Sequence, residues 1–96
     1  MPDQTSIARH LRITGRVQGV GYRDWAVGTA RSLGLAGWVR NRTDGSVEAL
    51  ASGAPESVEA FIVACHDGPA LARVTDIAVQ DADAPVQQGF EFLPTL

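Results

Sequence analysis

The chain is predicted to be an α+β protein, a two-layer sandwich in which two helices cover one face of an antiparallel sheet. Three features of the 96-residue sequence point there. Short segments of alternating apolar and polar residues read as half-buried strands. Two stripes of apolar residues at helical spacing read as amphipathic helices. Their order along the chain is β-α-β-β-α-β, and two helices that each bury a single stripe need one sheet face to cover.

Residues 1–8 read as a loose polar leader, and residues 9–96 as a single domain. In HLRITGRV, Leu11 and Ile13 alternate with Arg12 and Thr14, which marks the first strand. A glycine-rich loop, GRVQGVG, follows at 15–21. From Tyr22 to Leu33 the apolar residues Tyr22, Trp25, Ala26, Ala30 and Leu33 fall on one helical face, and Gly34 is a helix stop. LAGWVRNRT reads as the second strand and SVEALAS as the third, joined through Asp44-Gly45, a hairpin signal. Pro55 suits a first helical turn. Val58, Phe61, Ile62 and Cys65 then form the second stripe, ended by Gly68-Pro69. ARVTDIAVQ is the fourth strand, with a change of face near Thr75. After an acidic, proline-containing loop, FEFL adds a short last strand.

The order predicts the ferredoxin-like βαββαβ topology, with right-handed crossovers. The first and second strands then run the same way, with the third between them. The glycine loop leaves the C-terminal end of the first strand, and Asn41 lies at the C-terminal end of the second. Both emerge at one edge of the sheet, with backbones roughly 10 Å apart.

Charge and composition narrow the functional classes. All eight basic residues are arginine, and seven of them lie in the first 43 residues against two acids, giving that half +5. The remainder carries −8, and the whole chain −3. A net acidic chain is a poor nonspecific nucleic-acid binder. The first and third strands, LRIT and VEALA, also lack the aromatics on which RNA-recognition modules stack bases. A basic region on an acidic body suits a small anion. Arg9, Arg12 and Arg31 are read as ordinary surface charges. No apolar run spans a bilayer, and the start lacks the pattern of a signal peptide, so the expected location is cytoplasmic. Cys65, the single cysteine, sits on an apolar stripe and reads as a packing residue. With His10 and His66 far apart in sequence, no metal site and no cofactor are expected.

The glycine loop carries the functional signal. It opens a helix whose first turn holds Arg23, although a cation is unfavourable at the positive end of the helix dipole. An anion relieves that conflict. Backbone N–H groups converging at a helix start bind phosphate, and a guanidinium grips two phosphate oxygens at once. Asp24 is a favourable first-turn acid placed to hold the guanidinium. The loop lacks the lysine and hydroxyl residue of a Walker loop, and its glycine spacing is not that of a dinucleotide fingerprint. Read without further comparison, these residues fit an enzyme or a phosphate sensor, and Asn41 reads as a polar cap of the hairpin.

GRVQGVGYR at 15–23, GWVRNRTDGSVE at 37–48 and GPALARV at 68–74 resemble the acylphosphatase family, over the span from Arg9 to Phe92. The resemblance implies the same sandwich fold and metal-independent hydrolysis of the carboxyl–phosphate bond of small acyl phosphates. It places the catalytic arginine at Arg23 and the catalytic asparagine at Asn41. It places phosphate binding on Arg16, Val17, Gln18, Gly19, Val20, Gly21, Tyr22 and Arg23. Tyr22 stands where phenylalanine is common in the family, and the FEFLPTL tail is less typical. The expected partner is a small-molecule acyl phosphate, with no nucleic acid and no membrane, and the expected state is a monomer. The alternative is a non-catalytic domain that binds phosphate or a phosphometabolite.

Overall fold

The computed structural model describes residues 6–85 and 87–96. Seven elements follow one another: β1 (Ile7–Arg16), α1 (Tyr22–Ser32), β2 (Ala36–Asn41), β3 (Val47–Gly53), α2 (Pro55–Asp67), β4 (Arg73–Asp81) and β5 (Phe90–Phe92). Residues 1–5 of the expected leader lie outside the described residues. Its last two residues, Ile7 and Ala8, already belong to β1, where they pair with Gly53 and Ser52 of β3.

The sheet order is β4-β1-β3-β2-β5. β3 lies antiparallel between β1 and β2, as the topology requires, and β4 is antiparallel to β1. Leu11 of β1, Ala49 of β3 and Val39 of β2 stand opposite one another and are fully buried. They form a row of apolar side chains beneath the helices. Each large side chain buried in this way contributes about 1.5–3 kcal/mol. From above, α1 buries Tyr22, Ala26 and Ala30, and α2 buries Val58, Phe61 and Cys65. Trp25 is half-buried and meets Tyr22 edge-on at 5.3 Å, while Phe61 meets Phe90 in the same way at 5.7 Å.

Tyr22 also joins the two helices. Its hydroxyl donates to the carbonyl of Cys65 at 2.6 Å, in the last turn of α2, where carbonyls lack helical partners. Burial pushes the phenol well above its ordinary pKa, so it remains a donor. Burial likewise pushes the Cys65 thiol up to about 12, which fits a packing role. Tyr22→Phe should keep the fold but cost about 1–2 kcal/mol, because the carbonyl it leaves is buried. A thermal melt should then show a Tm lower by about 4–12 °C.

The expected change of face near Thr75 is a bulge. Thr14 pairs with Asp76 and Gly15 with Val74, so Thr75 has no opposite residue. The last strand departs from an all-antiparallel sheet, because β5 runs parallel to β2, with Val39 opposite Phe92. The reason is topological. β4 runs against β1 and ends where β1 and β2 begin. The chain crosses the sheet at that end and has to enter the far edge in the direction of β2. Phe92 is thereby carried toward the end of the sheet where the glycine loop and Asn41 emerge.

Candidate active site

The loop between β1 and α1 is shaped by a division of labour among its side chains. Val17 is 1% exposed and anchors the loop in the core, and Val20 packs half-buried against the same cluster. Gln18 reaches across to the β2–β3 hairpin, where its Nε2 donates to the carbonyls of Arg42 at 2.7 Å and Ser46 at 2.8 Å. Gly19 and Gly21, at φ 74° and 80°, turn the chain through the left-handed region that side chains disfavour. A Cβ at either position meets no atom within 4 Å, so the glycines leave open space above the backbone. Among the described residues, no protein acceptor takes the amides of Gly19 to Asp24.

The hairpin on the other side is braced on the helix-free face of the sheet. Arg42 N–H donates to Ser46 C=O, closing a three-residue loop. The Ser46 hydroxyl and amide, followed by Arg12, hold the Asp44 carboxyl well below the usual carboxylate range. His10 Nε2 lies 2.7 Å from Glu48 Oε2, and Arg42 Nη1 is 3.3 Å from Glu48 Oε1. Burial works against the charge on Glu48, but His10, Arg42 and Arg40 outweigh it and keep the carboxyl below its ordinary pKa. Arg12, Arg9 and Arg31 thus have structural partners: Asp44 for Arg12, Asp81 for Arg9, and the Phe90 carbonyl for Arg31.

Loop and hairpin border a solvent-open cavity of about 180 Å³, lined by Val17, Gly19, Gly21, Arg23, Asn41 and Phe92 among others. That is room for a phosphoryl group with a water beside it. Asn41 ends β2 on the same strand face as Val39, and its carbonyl accepts from the Leu96 N–H at 3.1 Å. Arg23 rises from the first turn of α1 and makes no ion pair among the described residues. Asp24 borders the cavity without holding the guanidinium. The guanidinium lies instead over the ring of Phe92, whose centroid is 4.0 Å from Arg23 Cζ.

Arg23 and Asn41 therefore meet around one cavity, together with Val17, Gly19, Gly21 and Tyr22 of the loop. Arg16 and Val20 do not border it. Arg16 ends β1 opposite Arg73 with its side chain exposed, and Gln18 commits its side-chain carboxamide, not its backbone N–H, to the hairpin. Sequence reasoning passed over Phe92. The one available signal was the repeat of phenylalanine at 90 and 92, which puts both rings on one strand face.

A run of amides without protein acceptors at a helix start, beside a guanidinium and a carboxamide, is an arrangement chemically suited to an anion such as a phosphoryl group. The family follows from comparison with known proteins. A profile described as Acylphosphatase matches residues 9–92. The acylphosphatase of Rhodospirillum rubrum is 57% identical over 86 residues, covering 90% of this chain and 94% of that protein. The crystal structure of acylphosphatase from Bacillus subtilis superposes with a TM-score of 0.86 at 36% identity, over 91% of this chain and 98% of that one. An acylphosphatase from Coxiella burnetii gives 0.88 at 28% identity, over 92% and 93%. The chain belongs to the acylphosphatase family.

Proposed function

We infer that the cavity binds the phosphoryl group of a small acyl phosphate and directs a water against its phosphorus. The chain is an acylphosphatase, an enzyme that hydrolyses the carboxyl–phosphate anhydride to carboxylate and phosphate. In the proposed mechanism the free amides of the loop and the Arg23 guanidinium take the phosphoryl oxygens. Charge stabilisation and positioning dominate phosphoryl transfer, so little covalent work falls to the protein. The Asn41 carboxamide orients the water in line with the scissile bond. The water oxygen bonds to phosphorus, and the carboxylate leaves with the electron pair of the broken P–O bond. Carboxylate departs without a proton, so no general acid is needed. The proton of the attacking water passes to a phosphate oxygen.

The observation that carries this reading is the meeting of Arg23, Asn41 and the unsatisfied amides around one cavity. The proposed enzyme acts as a monomer on a small molecule. The reading extends to one domain over residues 9–96, acting in the cytoplasm without nucleic-acid or membrane partners. No helix among the described residues is long and apolar enough to cross a membrane.

Benzoyl phosphate hydrolysis without added metal tests the reading. Asn41→Ala should lower kcat roughly 10²-fold, the cost of a misplaced reactant. Inhibition by inorganic phosphate should change far less, since the amides and Arg23 remain. Wild-type turnover in Asn41→Ala would remove the water-orienting role. Phosphate binding without turnover in the native protein would favour the phosphate sensor.

A further inference from the structure

We propose that Phe92 is a positioning residue for Arg23: its ring is the platform that holds the guanidinium over the phosphate cavity. The inference rests on the reading of Arg23 as the cation that grips the phosphoryl group.

Arg23 has no ion-pair partner among the described residues, although Asp24 is its neighbour in sequence. A long side chain in that state samples many rotamers, most of which lie away from the geometry a bidentate grip requires. A carboxylate would restrain it at a cost, because the carboxylate would occupy the donors meant for phosphate and would repel the dianion. An aromatic face restrains the guanidinium differently. It attracts the cation through the ring quadrupole and leaves the in-plane N–H donors free. The 4.0 Å separation of Arg23 Cζ from the Phe92 centroid fits this arrangement.

The platform is itself held. Phe92 pairs with Val39 in the parallel β2–β5 ladder, and Leu93 N–H donates to Val39 C=O at 2.9 Å. Further along, Leu96 N–H donates to the carbonyl of Asn41. One short segment therefore sets the height of Arg23 through a ring and tethers the strand end that carries Asn41. Phe92 is 45% exposed, which is unusual for a phenylalanine kept only for packing.

Inorganic phosphate tests the proposal, because it has no acyl group that Phe92 could touch directly. Phe92→Leu keeps apolar bulk and removes the ring. It should weaken competitive inhibition by phosphate about three- to ten-fold and raise KM for benzoyl phosphate in parallel. Phe92→Tyr and Phe92→Trp should restore both. In an Arg23→Ala background Phe92→Leu should have no further effect on phosphate affinity, whereas a general packing role would still show one. If Phe92→Leu inhibits like wild type while Arg23→Ala loses phosphate, the proposal is overturned and the Arg23 reading stands. Arg23→Ala binding phosphate as wild type does would overturn both. Should Phe92→Leu prove poorly folded in a thermal melt, Phe92→Trp decides: it should bind phosphate at least as tightly as wild type, and a marked loss would refute the platform.

Discussion

Arg23→Ala should lower kcat/KM for benzoyl phosphate by about 10²–10³-fold, which corresponds to roughly 3–4 kcal/mol of transition-state stabilisation. The size of the effect comes from where the guanidinium stands. It sits at the start of α1, where the helix end and the unsatisfied amides already favour negative charge. Without phosphate the cation there opposes the dipole, and with phosphate the two act together. Removing the side chain should therefore relieve a small electrostatic conflict in the free protein while crippling the bound one. A thermal melt of Arg23→Ala should show a Tm within a few degrees of wild type as activity falls, because the relieved conflict at the helix end offsets the lost contact with Phe92. Arg23→Lys should recover only part of the activity, because an ammonium is a point charge without the planar fork and stacks less well on Phe92. Activity near wild type in Arg23→Ala would mean that the amides suffice.

Gly37→Ala should destabilise the fold by about 3–5 kcal/mol, from a strained backbone and an overpacked contact together. Gly37 lies in β2 at φ 143°, and a Cβ there would come 1.8 Å from the carbonyl oxygen of Leu50 and 3.2 Å from Phe90 Cε2. Backbone of β3 on one side and the buried ring of β5 on the other leave no room to yield. The Tm should fall by about 15–30 °C. Gly28→Ala is the matched control. It lies exposed in α1, where an added Cβ meets nothing within 4 Å. There alanine should stabilise by about 0.5–1 kcal/mol. Equal melting of the two variants would show that the β2–β5 junction is softer than its packing implies.

The elements that were legible in sequence are those whose signal is periodic and local. Leu11 with Ile13, and Val58 with Phe61 and Cys65, announce their buried faces by spacing alone, and all five are fully buried. The convergence of the glycine loop with Asn41 was legible too, since strand order alone puts both at one edge. Phe92 and Gln18 were not. The role of Phe92 depends on β5 joining the sheet in parallel beside β2, and three residues of strand carry too little pattern to set a partner or a register. Gln18 acts on carbonyls 24 and 28 residues away, a relation that leaves no periodic trace. Gly37 was silent for a related reason. The need for a missing side chain becomes visible only once Leu50 and Phe90 are in place.

The Gln18 brace bears on how fast the site can work. Its two hydrogen bonds join the loop that cradles the anion to the hairpin that follows Asn41. The two rims of the cavity thus form one stiff frame. A ligand entering it need not organise a floppy backbone, so the entropy of shaping the cradle is settled at folding rather than at each encounter. A cradle braced in this way asks for no rearrangement of its two rims as the anion enters.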